Sequence, residues 1–150
     1  MRGIIFKGKR KDNGKWVEGD LILSENKKHF EELGKYSAFI KDNTDKDSLR
    51  SASRNYCDFR FIEIISKTIG EYTGKNDINK VKIFGNDIVT FDFQHMAINE
   101  NLKGWLEYNE DELRWEINIL NNSYYTCLSF NNNKMKNFEI IGNIYNKEAV

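Results

Sequence analysis

The 150 residues make one ordinary domain or two small subdomains, long enough to bury a core that folds without disulfide staples. With 39% hydrophobic, 13% aromatic and 31% charged residues the composition is globular, which excludes a disordered chain. Lys plus Arg and Asp plus Glu both number 23, so no bulk charge draws the chain to nucleic acid or to an anionic membrane, and any such binding must come from a local patch.

Residues 2–23 read as a β-hairpin, because Asn13-Gly14 is the strongest short signal for a type I′ turn and is flanked by strand-like residues. Ile4 and Phe6 share one side of the first strand. On the return, Val17, Leu21 and Leu23 share a face with Gly19, opposite Trp16, Glu18, Asp20 and Ile22, and the Val17 set is the expected core face. Phe30 and Leu33, three apart and followed by Gly34 where a helix stop belongs, predict a short helix over 24–34. A strand follows at 36–41 and a polar turn at 42–47. Over 47–56, Leu49, Ala52 and Tyr56 recur at helical spacing behind Thr44 and Asp45, which predicts a second short helix or an ordered insertion.

Residues 59–65 are rich in β-branched and aromatic side chains and predict a strand, with Phe59, Phe61 and Glu63 opposed to Arg60, Ile62 and Ile64. Beyond a polar turn at 75–80 come strands at 81–84 and 88–93, separated by Gly85-Asn86-Asp87. The clearest hairpin of the second half joins 104–108 to 113–120 through residues 109–112. There Leu113, Trp115, Ile117 and Ile119 alternate with Arg114, Glu116 and Asn118, so one face is buried and one is wet. Strands at 124–130 and 138–144 close the series. The chain has no proline, which leaves its turns to Gly, Asn and Asp. Many short strands joined by short turns point to a mainly β protein: a β-rich module with short helices over 1–66, and a small barrel or sandwich over 67–150, or one continuous domain.

Three blocks carry a family resemblance. The first is Arg2-Gly-Ile-Ile-Phe-Lys-Gly-Lys-Arg10 followed by Asp12-Asn-Gly-Lys-Trp-Val-Glu-Gly19; its pattern residues are Phe6, Gly8, Gly14, Trp16 and Gly19. The second is Thr68-Ile-Gly-Glu-Tyr-Thr-Gly74 leading through Asp77 and Asn79 to Ile83-Phe84 and Asp87-Ile-Val89, with Gly70, Tyr72, Thr73, Gly74, Asp77 and Asp87. The third is Phe138-Glu-Ile-Ile-Gly-Asn-Ile-Tyr145, with Gly142, Asn143 and Ile144. In order and spacing these blocks resemble the YopX family of phage and prophage proteins. Residues 24–57 and 95–135 carry no family signal. Four positions depart from the pattern: Lys67 stands where the family usually has Pro, Lys80 where it often has Gly, and Gly85-Asn86 where it usually has Glu-Gly. The resemblance implies a phage or prophage accessory protein with an SH3-like barrel in its second half and structural roles for the pattern residues. It implies no activity, and fold analogy supplies none.

The strongest candidate binding surface is the basic cluster Lys7, Lys9, Arg10, Lys11 and Lys15 bordering Trp16, a composition suited to phosphate backbone or to an acidic protein. A solvated hairpin edge guarded by lysines is its plainer reading. His95 follows Asp87 and Asp92, but residues of one strand and the turn before it alternate faces and do not converge on a metal; His29 has no better partner. Glu107, Glu110, Asp111, Glu112 and Glu116 make an acidic tip without the register of a Ca²⁺ loop. Trp105, Trp115, Tyr124 and Tyr125 suit either an aromatic binding surface or a small core. Cys57 and Cys127 match no zinc or redox spacing and no nucleophile motif, and no phosphate loop, GxSxG or HExxH occurs.

The expectation is therefore a cytoplasmic, non-enzymatic binding module without cofactor or metal. A host or phage protein is its expected partner, self-association and nucleic acid are left open, and no membrane is involved. Two alternatives are a nucleic-acid binder using the basic hairpin and a counter-defence inhibitor that sequesters a host protein.

Overall fold

A computed structural model describes residues 3–25, 36–42 and 61–146. The chain forms two compact units, Met1–Glu71 and Tyr72–Val150. Among the described residues the regular elements are strands, apart from one 3₁₀ turn at Ser66–Thr68. The mainly β expectation holds.

In the first unit β1 (Phe6–Lys9), β2 (Trp16–Glu25), β3 (Tyr36–Asp42) and β4 (Phe61–Ile64) follow one another as antiparallel neighbours. The opening residues of β5 (Gly70–Asn76) pair with the other edge of β1, at Phe6↔Glu71 and Lys7↔Gly70. Alternation along each strand then selects the core: Val17, Ala38, Ile40 and Ile64 are buried, with Phe6, Leu21, Ile62 and Ile69 packed on them. Leu23 shares their face but lies at the sheet's end and is 56% exposed, so the expected core face stops at Leu21. The sheet curls until Arg10 bridges Ile64, with the Ile65 N–H donating to the Lys9 carbonyl (2.8 Å). Gly8 permits that approach, since a Cβ there would lie 2.7 Å from Ile64 Cδ1.

The first turn is wider than the expected type I′ turn. Gly14 has a positive φ of 70° and Asn13 does not, whereas type I′ needs both. The Gly14 N–H donates to the Arg10 carbonyl (3.0 Å), the Arg10 N–H to the Lys15 carbonyl (2.8 Å), and Asn13 Oδ1 accepts the Lys15 N–H (2.9 Å). Asn13 thus spends its side chain on a local backbone bond instead of a left-handed backbone. Of the helix expected at 24–34, Ser24 and Glu25 belong to β2, whose ladder with β3 runs to Glu25↔Tyr36. Its remainder and the helix expected at 47–56 lie outside the described residues.

In the second unit the rest of β5 pairs with β6 (Lys82–Phe84) through Tyr72↔Phe84. Strands β7 (Asp87–His95), β8 (Ile98–Asn109), β9 (Arg114–Ile119), β10 (Cys127–Ser129) and β11 (Met135–Asn143) make a five-stranded antiparallel sheet in the order β10-β9-β8-β7-β11. Its apolar face is the larger core, built from Val89, Phe91, Phe93, Leu102, Leu106, Trp115 and Ile117 with Ile83, Phe130 and Met135.

The expected SH3-like barrel does not form. Strands β10 and β11 hold opposite edges of the sheet and do not pair with each other. The link between them carries Phe130, which is 1% exposed, packs on Phe138 at 5.1 Å and donates its N–H to the Trp115 carbonyl (2.9 Å).

Strand β5 and the first half of β8 were hidden in the sequence, while the second half of β8 is the strand expected at 104–108. Strand β8 begins at Ile98, six residues ahead of the expected start, because its first half is polar: Asn99 and Asn101 are exposed. Strand β5 has two glycines in seven residues and no apolar alternation. Leu113, expected on the inner face, sits in the β8–β9 tip with φ 52° and is 75% exposed; the buried alternation starts at Trp115.

Candidate binding surfaces

The basic hairpin is assembled as its sequence suggests, and most of its charge is already engaged. Lys9 and Trp16 are cross-strand partners, and Lys7 lies two residues before Lys9 on the same face. Their ammonium groups sit 5.1 Å (Lys7) and 5.4 Å (Lys9) from the half-buried Trp16 ring, a double cation–π contact. Arg10 forks onto Asp12 (2.9 and 2.7 Å), which holds that carboxyl below its usual range. Lys11 pairs with Glu63 at 2.8 Å, and Lys15 is exposed at the turn.

The second unit presents a different surface. On the face of the five-stranded sheet opposite the core, side chains form cross-strand hydrogen bonds rather than pointing singly into water. Asn118 Nδ2 donates to Glu107 (2.9 Å), Asn109 Nδ2 to Glu116 (3.1 Å), Asn101 Nδ2 to Asp92 Oδ1 (3.1 Å), and Asn137 Nδ2 to Asp92 Oδ2 (2.8 Å). Asn137 reaches Asp92 because β11 shifts register between Lys136 and Glu139 and sets Asn137 at φ 56°; a bulge of this kind re-aims a side chain. The two amides hold the Asp92 carboxyl below its usual range, Asn137 foremost. Glu116 is held low as well, first by Asn109, then by Cys127 and Arg114. Beside Asp92 lies a cleft of about 410 Å³ lined by Asp92, Gln94, Asn99, Lys134, Lys136 and Asn137.

The remaining candidates separate rather than converge. The His95 ring lies nearly parallel to Phe93 (6.1 Å, 7°) and edge-on to Tyr125 (6.4 Å), while Asp92 faces the other side of the sheet and Asp87 is fully buried. Among the described residues no group of His, Cys, Asp and Glu is arranged to hold a metal ion, and no helix is long and apolar enough to cross a membrane. In the acidic tip, Arg114 bridges Glu112 and Glu116 at 2.8 Å each. Trp115 is core, Trp105 and Tyr125 are half-buried, and Tyr124 is 90% exposed. The Cys127 thiol lies 3.1 Å from Glu116, and burial together with that carboxylate pushes its pKa up to about 11, which makes it a poor nucleophile at neutral pH. Cys57 and His29 lie outside the described residues. What residue-by-residue reading missed was Asn137, whose neighbourhood with Asp92 depends on the bulge.

The pattern residues of the second and third sequence blocks turn out to hold turns. Thr73 Oγ1 donates to the Ile83 carbonyl (2.8 Å), and the Tyr72 ring packs on Phe84 at 5.7 Å while its hydroxyl bonds Asn76 (2.8 Å). Asp77 Oδ1 accepts the N–H groups of Asn79 (2.8 Å) and Val81 (2.9 Å). Asp87, fully buried, accepts the Phe84 N–H (2.9 Å) and the Asn143 amide (3.0 Å), and the Ile144 N–H returns to the Asn86 carbonyl (3.0 Å). Gly70 is buried, Gly74 has φ 87°, and Gly142 pairs with Ile88.

The two departures that fall at glycine positions, Lys80 and Asn86, adopt φ 64° and 71°, the left-handed backbone a glycine would take. None of the curated proteins compared with the chain matches it. The family model described as YopX protein matches residues 5–148. With the match running over nearly the whole chain, this protein belongs to the YopX family.

Proposed function

We propose that this protein is a non-catalytic binding module, a phage or prophage accessory protein that engages a host or phage macromolecule through the polar face of its five-stranded sheet. One observation carries the reading: the amides and carboxylates of that face are fixed in cross-strand bonds, Asn118–Glu107, Asn109–Glu116 and Asn137–Asp92–Asn101. Groups held in place before a partner arrives lose little side-chain freedom on binding, which is what a specific polar interface needs. The groups with catalytic chemistry on or beside this face are committed elsewhere: the Cys127 thiol is raised to about 11, and both Asp92 oxygens accept amides.

The test is capture from host and infected-cell extracts with the tagged full chain. Asn101→Arg with Asn118→Arg should abolish a capture that Lys11→Glu leaves intact. Capture indifferent to the face variant, or turnover of a substrate by the purified protein, would sink the reading.

A second reading, nucleic-acid binding by the hairpin, is favoured by the pair of ammonium groups over Trp16. The matching of Arg10 and Lys11 to Asp12 and Glu63 weighs against it. It requires salt-dependent retardation of DNA or RNA that is lost when Lys9, Arg10 and Lys11 are changed to Glu; no retardation at low salt removes it.

A further inference from the structure

We infer that the cleft between β7, β8 and β11 binds a small ligand bearing a phosphate-type oxyanion, held by Lys134 and Lys136 on one wall. The inference rests on reading the polar sheet face as a recognition surface, and it names the chemistry of one part of it. Lys136 is the cross-strand partner of Asp92, the position in which an ion pair would be expected. No such pair forms; the Asp92 oxygens accept the Asn137 and Asn101 amides instead. The Gln94 N–H donates to the Lys134 carbonyl at 2.9 Å, which extends the β7–β11 pairing by one residue and brings Lys134 to the same cleft. Among the described residues neither lysine side chain has a hydrogen-bond or ion-pair partner.

Two lysines without ion-pair partners therefore line a cleft that also holds the ionised Asp92, which leaves one net positive charge to attract an anion. The remaining lining groups, Gln94, Asn99 and Asn137, each carry amide N–H donors. A planar carboxylate is best matched by the fork of an arginine; separate ammonium point charges suit a tetrahedral oxyanion, which offers oxygens in several directions. A volume of about 410 Å³ is in the range of small-molecule sites.

The experiment is amide chemical-shift titration of the full-length protein with inorganic phosphate, against sodium chloride at matched ionic strength. Saturable shifts confined to residues 92–94, 99–101 and 134–137, with a dissociation constant of roughly 1 mM, are expected. Lys134→Gln with Lys136→Gln should weaken binding at least about tenfold, with the spectrum elsewhere unchanged, whereas Lys11→Gln should have no effect. Equal shifts with chloride, shifts that survive the double substitution, or no saturation would overturn the inference and leave the two lysines as edge guards. Binding of a phosphoserine peptide without binding of free phosphate would equally overturn the small-ligand assignment. Failure of macromolecular capture would leave a positive phosphate titration standing, and an absent titration would leave the capture test untouched, so the two readings fail separately.

Discussion

At the scale of single residues, Trp115 shows both what alternation predicts and what it omits. Its place on the inner face of β9 follows from the period of two in Trp115, Ile117 and Ile119, and it is 8% exposed. Among the described residues its buried indole N–H has no hydrogen-bond partner, which no pattern of apolar residues reveals. Trp115→Ala is expected to cost about 3–5 kcal/mol through lost burial and a cavity. Trp115→Phe, which removes the orphan donor along with some volume, should stay within about 1.5 kcal/mol of the parent; denaturant melts compare the two. Cys127 allows a pH test. Its thiol is raised from an ordinary 9.0 to about 11, by burial first and then by Glu116. A raised pKa favours the protonated form in the fold, so the associated stability is complete below the unfolded value and disappears as pH climbs through the folded one. In a Cys57→Ser background the alkylation rate should rise with a midpoint near 11, and Glu116→Gln should move that midpoint down. A midpoint at or below the ordinary thiol value in the parent would disprove the Glu116 contact.

At the scale of elements, strands with one buried and one wet face were legible and polar strands were not. The sequence alternates over β9 and β4, whereas the first half of β8 offers Asn99 and Asn101 where a period would need apolar residues. The first turn was placed correctly and typed wrongly, because Asn13 bonds the Lys15 N–H through its side chain. Turn backbones also give the most direct stability test. Lys80 is exposed at φ 64°, and an L residue there costs on the order of 1 kcal/mol relative to glycine. Lys80→Gly should therefore raise stability by up to about 1 kcal/mol, against the usual penalty for adding glycine. Gly19 is the opposite case: a Cβ would fall 1.8 Å from the Lys41 carbonyl oxygen, a backbone atom that cannot yield locally. Gly19→Ala should cost about 3 kcal/mol or more. Equal melting temperatures for the two variants would contradict both assignments.

For the whole molecule, the β class and the family were legible because each depends on local signals repeated along the chain. Barrel closure was not, since it depends on whether two distant edges meet, and β10 and β11 do not pair. The candidate cleft was illegible for the same reason: its walls come from residues 92–99 and 134–137, joined by a register shift. The late position of β11 also bears on how the protein is made. On the ribosome β7 is completed some forty residues before its β11 partners, Met135↔Phe93 through Asn143↔Asp87, can emerge. During that interval one edge of β7 has no neighbour, and the Asp87 carboxylate lacks the Asn143 amide that holds it once buried. Nascent chains of this protein thus spend part of their synthesis with an open sheet edge, the state in which chaperones and rival nascent chains compete for it. A nonsense mutation ahead of Met135 makes that state permanent, so its product should appear in inclusion bodies or be degraded rather than accumulate as a shorter working protein.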